Sequence, residues 1–282
     1  MTGVASETVT LFDPTDVQEG PQGLTVRVRL IVAYDGAPFH GFAVNAGVRT
    51  VGGVLADTIG TVLGHRVDIT CAGRTDKGVH ARAQVVTFDA APDCLDLGGL
   101  VKSVNKMCGP AIAITDVALV APDFDARFSA RARRYRYRIL NRPAPDPFQA
   151  HFSWHIADPL SLPAMVLACD PLIGSHDFAA FCRRPKRRDG EPASLIRTVT
   201  EAVWHDDGGG DLRFEIEAGS FCHQMVRSVV GTLVDVGRGK KHAGDVLAII
   251  RSADRHRAGD LAPPQGLTLW SVRYDGWSSA PD

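Results

Sequence analysis

Residues 50–88 read TVGGVLADTIGTVLGHRVDITCAGRTDKGVHARAQVVTF, and this stretch decides the fold. Thr50 can cap a helix whose apolar residues recur at helical spacing, and Gly64 can end that helix. Two apolar segments follow, over residues 66–71 and 84–88, and a loop with a glycine near each end separates them. The stretch therefore predicts a helix, a strand, a tight loop and a second strand, in that order.

The neighbouring segments extend this order on both sides. Residues 24–32 alternate between apolar and other side chains with a period of two, which predicts a strand. A helical pattern over residues 97–104 and a strand pattern over residues 111–120 complete the order β-α-β-β-α-β. This is the split βαβ, or ferredoxin-like, unit, and the same order recurs with longer connections over residues 135–274. The sequence therefore predicts an α+β fold of two ferredoxin-like halves with antiparallel sheets.

Four segments follow from these patterns. We expect a flexible acidic tail over residues 1–23, an N-terminal half over 24–122, a C-terminal half over 123–276 and a short tail over 277–282.

The overall composition excludes several classes of protein. The 282 residues are 45% hydrophobic and 22% charged, which is typical of globular chains and not of disordered or fibrous ones. No apolar run approaches the ~20 residues of a membrane span, and no signal-peptide pattern is present, so we expect a cytoplasmic protein without membrane association. The six cysteines form no CxxC pair, so we expect reduced, mostly buried thiols and no zinc site.

The charges are unevenly distributed along the chain. Residues 1–26 hold four acidic and no basic side chains, and removing those four charges from the net charge of −1 leaves +3 for the remainder. Residues 127–142 contain seven arginines and no acid, and residues 183–188 form a second basic block. Two such blocks can neutralise several phosphates, which indicates a nucleic-acid partner, although one charge run alone is more often a solvated surface.

The loop at residues 73–81, with the sequence GRTDKGVHA, is the candidate site. Its glycines permit a tight turn that presents Arg74 and Asp76 from one platform. Taken alone, these features more often belong to a surface turn that holds a local ion pair than to a catalytic site.

The full run GRTDKGVHA closely resembles the active-site motif of the TruA-type tRNA pseudouridine synthases. Further segments resemble that family in the same order along residues 24–275. They are YDG (34–36), FHGF (39–42), FDARFSA (124–130), RYRY (134–137), HDF (176–178), Phe221, MVRSVVG (225–231), APP (262–264) and GL (266–267). Several independent segments in one order are far more specific than any single motif.

This resemblance implies a pseudouridine synthase fold, with a central RNA-binding cleft between the halves. It implies isomerisation of uridine to pseudouridine in the anticodon arm of tRNA, at position 38, 39 or 40, without a redox cofactor or a metal. It also implies a homodimer that binds tRNA across both subunits.

The resemblance also assigns roles to residues of the site. Asp76 becomes the catalytic carboxylate, which either attacks the anomeric carbon of the ribose or removes a ribose proton. Burial penalises a charged carboxylate, so a cation is required nearby, and Arg227 is the candidate. Tyr135 is expected to stack on the target base, and Leu267 to line the other face of the pocket.

Contacts with RNA complete the set of expected roles. Arg74 is expected to occupy the space left when the target base leaves the stack. The other candidates are His80, Arg134, Arg187 and Arg188. His80 has a second interpretation, as a residue that orients the loop.

Some positions differ from the pattern of well-known members, namely Phe42, Ala43, Asn45 and the segment 107–110. They affect the expected RNA contacts and none of the proposed catalytic groups. Two alternatives remain: a non-catalytic tRNA-binding or tRNA-folding protein on the same scaffold, and a synthase that acts on another RNA or a free nucleotide.

Overall fold

The computed structural model describes residues 20, 21, 23–184 and 194–280. Its strands are β1 (Val26–Tyr34), β2 (Thr70–Cys71), β3 (His80–Ala90), β4 (Ile112–Val120), β5 (Ala132–Asn141), β6 (Trp154–Ile156), β7 (Gly174–Asp177), β8 (Ile196–Gly208), β9 (Asp211–Ala218), β10 (Leu267–Tyr274) and β11 (Trp277–Ser278). Its α-helices are α1 (Val51–Leu63), α2 (Leu97–Cys108), α3 (Leu162–Leu167), α4 (Met225–Gly237) and α5 (Asp245–Ser252).

The predicted repeat of two ferredoxin-like halves is confirmed in the order of the strands. The main sheet runs β4-β1-β3-β10-β5-β9-β8-β7, and β2 pairs with β3. The N-terminal half therefore contributes β4-β1-β3-β2, and the C-terminal half contributes β10-β5-β9-β8. When the four strands of each half are numbered in chain order, their order across the sheet is 4-1-3-2 in both halves. The halves therefore share one topology although their sequences differ.

The two halves share one sheet, a junction that the sequence did not specify. Thr268 pairs with His80 and Leu269 with Ala81, so β10 joins β3 in a parallel ladder. The sequence placed β2 over residues 66–71, but it covers only Thr70 and Cys71, which pair with Thr87 and Val86. β3 begins at His80, well before the residues that pair with β2. The first residues of β3 are therefore open to β10 on that edge.

Local capping explains where α1 begins and ends. The Thr50 side chain accepts a hydrogen bond from the Gly53 amide, as expected for an N-cap. Gly64 has φ of 75° and ends the helix in the left-handed conformation. Both boundaries agree with the prediction from residues 50–64.

Helix α4 is buried along nearly its whole length and holds the segment before β10 in place. A Cβ atom on Gly231 would lie 1.7 Å from the Asp260 carbonyl oxygen, so only glycine permits this approach. The Ala262 amide donates to the Arg227 carbonyl at 3.2 Å. The chain therefore enters β10 directly beside the first turn of α4.

The predicted C-terminal tail is wrong at its start. Trp277 and Ser278 form β11, which pairs with β10. The Trp277 ring stacks on Tyr274 with centroids 4.5 Å apart, and this apolar contact fixes the chain end on the sheet. Residues 1–19, 22 and 281–282 of the predicted tails lie outside the described residues. In the described part of the chain, no helix is long and apolar enough to cross a membrane.

Candidate active site

The loop that carries Asp76 connects β2 to β3 at the junction of the two halves. Gly78 has φ of 78°, a conformation that glycine adopts without strain. The Val79 amide donates to the Asp76 carbonyl at 3.1 Å, and the Phe42 amide donates to the Thr75 carbonyl at 3.1 Å. These bonds hold the loop rigidly and leave the Asp76 side chain 26% exposed.

Two buried side chains brace the loop from below. Gln84, fully buried on β3, donates to the Gly73 carbonyl at 2.6 Å and accepts from the Gly73 amide at 3.3 Å. The Tyr34 and Thr75 hydroxyls are 2.8 Å apart, within hydrogen-bond distance. Gln84 was not among the residues predicted from the sequence, although a polar residue in an apolar strand indicates a buried hydrogen-bonding role.

Asp76 lies between two potential cations. Arg227 Nη1 is 3.8 Å from Asp76 Oδ2, and His223 Nε2 is 3.3 Å from Asp76 Oδ1. Arg227 Nε also donates to the Ala262 carbonyl at 2.7 Å, which orients the guanidinium. Burial lowers the pKa of Arg227, while Asp76 and then Tyr137 act in the opposite direction. The structure thus brings the predicted carboxylate and the predicted arginine together.

Tyr135 lies on β5 at the floor of the site. Its hydroxyl is 3.7 Å from the position a Cβ on Gly73 would take, and its ring packs edge-on against Phe221 with centroids 5.1 Å apart. Burial, with a smaller effect of Asp76, raises the pKa of Tyr135 above its ordinary value. The phenol therefore keeps its proton at neutral pH. Phe221 was recognised only as part of a matching segment, and its packing on Tyr135 was not predicted.

His80 is buried and uses both ring nitrogens within the protein. Nδ1 accepts from the Gly36 amide at 3.0 Å, and Nε2 lies 3.1 Å from the Gln265 carbonyl. Burial lowers the pKa of His80, against the opposing effect of Asp35. These contacts support the loop-orienting interpretation, and a contact of His80 with RNA stays a prediction.

The remaining predicted residues lie at different distances from the site. Leu267 is buried at the start of β10, in register with Tyr137. Arg74 is exposed beside Asp76 in the loop. Arg134 is not brought to the site: it follows the alternation of β5 to the face opposite Tyr135 and pairs with three glutamates, Glu201, Glu215 and Glu217. Arg187 and Arg188 lie outside the described residues.

The expectation that all cysteines are reduced is wrong for one pair. Cys182 and Cys222 form a disulfide with Cα atoms 5.7 Å apart, and the other four cysteines are free. The two residues are 40 positions apart in sequence, so no local pattern indicated the pair. Cys222 stands between Phe221 and His223, so the bond anchors the segment that contacts Tyr135 and Asp76.

Two split βαβ halves that share one sheet, with a carboxylate, an arginine and a tyrosine at their junction, agree with the pseudouridine synthase class that the sequence suggested. Comparison with known proteins supports this class. A family model described as tRNA pseudouridine synthase matches residues 168–275.

Relatives named tRNA pseudouridine synthase A match nearly the whole chain. The protein of Frankia casuarinae is 43% identical over 251 residues, which cover 88% of this chain and 89% of the relative. The protein of Myxococcus xanthus is 37% identical, covering 88% and 92%, and that of a Caulobacter species is 38% identical, covering 89% and 98%. The chain therefore belongs to the tRNA pseudouridine synthase family.

Proposed function

We propose that this protein isomerises uridine to pseudouridine in the anticodon arm of tRNA, at position 38, 39 or 40, with Asp76 as the catalytic carboxylate. The observation that carries the proposal is the placement of Asp76 on a braced loop, 3.8 Å from Arg227 and near enough to the buried Tyr135 to raise its pKa. The relatives supply the substrate class, since their name specifies tRNA.

The chemistry requires Asp76 in its ionised form. A carboxylate that attacks the anomeric carbon needs a free electron pair, and so does one that removes a ribose proton. Arg227 places a positive charge 3.8 Å from this partly buried carboxylate. Tyr135 remains a phenol at neutral pH and can therefore donate a proton or stack on a base.

The target base must leave the base stack to reach this carboxylate, because Asp76 is partly buried, with 26% of its side chain exposed. Extrusion of a base costs a few kcal/mol. Arg74, exposed next to Asp76, supports the proposal that a planar cation occupies the vacated space.

We further infer a homodimer in the cytoplasm, where tRNA is modified. The resemblance to the family supports both statements. Sedimentation velocity at micromolar concentration tests the first, and a species with the mass of one chain at all concentrations contradicts it.

The main test uses unmodified tRNA transcripts. Pseudouridine is detected by carbodiimide modification and primer extension after incubation with wild-type protein or Asp76→Asn. We expect signal in the anticodon arm with wild type and none with Asp76→Asn. Asp68→Asn, an exposed carboxylate outside the site, is the matched control and retains wild-type signal.

Two results contradict the proposal. Wild-type protein that binds tRNA without forming pseudouridine favours a non-catalytic RNA-binding protein. Equal signal from wild type and Asp76→Asn assigns the chemistry to another residue.

A further inference from the structure

An open groove rich in arginine lies beside the site and takes no part in the chemistry described above. Its volume is about 620 Å³, and its polar lining consists of Arg183, Arg184, Gln224, Asp254, Arg255 and His256. These residues come from two segments, one after β7 and one after α5, together with the residue that precedes α4.

The groove is tied to the catalytic carboxylate through one short segment. The Arg183 amide donates to the His223 carbonyl at 2.9 Å, and the His223 ring lies 3.3 Å from Asp76. On the other wall, Arg255 Nη2 donates to Gln224 Oε1 at 2.7 Å. Both walls of the groove are therefore hydrogen-bonded to residues 223 and 224, directly next to the site.

Gln224 adopts an uncommon backbone conformation at this junction. Its φ is 67°, which a non-glycine residue adopts at an energetic cost. The conformation lets residue 223 approach Asp76 while residue 224 faces the groove. Such strain is often found where a side chain must be held in a particular place.

The polar groups of the groove favour an anion. The groove is lined by three arginines and by one carboxylate, Asp254. The Asp254 carboxylate accepts a hydrogen bond from the His256 amide at 2.9 Å. Arg255 Nη1 is a buried donor that has no acceptor within the described part of the chain. A cationic donor without an acceptor is satisfied best by anionic oxygens, and the Arg255 side chain as a whole is partly exposed at the groove.

We propose that this groove binds a backbone phosphodiester of the tRNA, next to the uridine at Asp76. The proposal rests on the proposed function, since an RNA nucleotide at Asp76 must extend its backbone along the adjoining surface. Guanidinium groups match phosphate with two parallel hydrogen bonds, which makes Arg255 and Arg184 suitable ligands.

The test measures the salt dependence of tRNA binding. Unmodified tRNA is titrated in the Asp76→Asn background, which prevents turnover, at several salt concentrations. Arg255→Gln removes the charge and keeps a donor for Gln224, and Arg184→Ala removes an exposed side chain that supports no described element. Arg66→Ala, which removes an exposed arginine between α1 and β2 in the other half, is the matched control.

We expect each groove variant to weaken binding severalfold and to reduce the slope of log K against log salt by about 0.7 to 0.9 per lost phosphate contact. Arg66→Ala should retain the slope of its parent. If both groove variants show the same salt slope as Arg66→Ala, the proposal is overturned. This holds even if the same substitutions reduce catalysis in protein that retains Asp76. Wild-type protein that forms no pseudouridine, combined with reduced slopes, refutes the proposed function and leaves the groove as an RNA-binding site.

Discussion

Arg227 and Asp76 come from different halves of the chain, and Arg227 Nη1 lies 3.8 Å from Asp76 Oδ2. The arginine is the more buried partner, with 12% of its side chain exposed against 26% for Asp76. Because Arg227 also donates to the Ala262 carbonyl, its position depends on the packing of α4 against the segment before β10. This pair couples the fold of the C-terminal half to the surroundings of Asp76, the proposed catalytic carboxylate.

Arg227→Gln should lower kcat by about 10²–10³-fold, the usual effect of removing one preorganised electrostatic partner. Single-turnover rates on tRNA measure this loss. Arg227→Lys should retain part of the rate because it keeps the positive charge, and a rate in Arg227→Gln equal to that of wild type contradicts the assigned role.

Gln84→Leu should loosen the loop that carries Asp76. The substitution leaves the Gly73 amide and carbonyl without their partner, which costs about 1–3 kcal/mol in free energy of unfolding. Urea denaturation measures this loss, and kcat should fall in the same variant because Asp76 is less well oriented. Gln149→Leu, with a partly buried amide outside the site, is the control for kcat. Unchanged stability and rate in Gln84→Leu would show that the bracing is unimportant.

His80 should make stability depend on pH. Burial lowers its pKa below the ordinary value of about 6.5, so the unfolded chain binds the proton more readily than the folded one. The stabilising contribution is therefore complete above the unfolded pKa and is lost as the pH falls towards the folded pKa. The difference in free energy of unfolding between wild type and His80→Gln should shrink from pH 7 to pH 5. A difference that grows over this range would show that His80 is charged in the folded state.

The disulfide between Cys182 and Cys222 predicts four free thiols in the unreduced protein. Thiol titration in denaturant should give four groups before reduction and six after it. The Cys182→Ser, Cys222→Ser double variant should unfold with a free energy lower by about 2–4 kcal/mol, because the bond restricts the unfolded chain. Cys94→Ser, at an exposed free cysteine, should leave stability within about 0.5 kcal/mol of wild type. Six free thiols in protein purified without reductant would refute the pairing.

Local sequence determined the elements of the fold and the loop that carries Asp76. The hydrophobic periods of two and 3.6 residues placed most strands and helices near their observed bounds, because backbone hydrogen bonding and burial act over a few residues. Thr50 and Gly64 marked the ends of α1 for the same reason, since capping depends on neighbouring backbone groups. The segments that resemble the family added Tyr135 and Arg227, whose individual patterns also fitted ordinary packing.

Only the tertiary structure decided how these parts meet. β10 pairs with the first residues of β3, which β2 does not reach, and that ladder joins the halves next to the loop that carries Asp76. The same packing brought His223 to Asp76 and Cys182 to Cys222, while the alternation of β5 turned Arg134 towards three glutamates. Such contacts join residues far apart in sequence, so they depend on strand register and on the approach of α4 to β10, which no local pattern specifies.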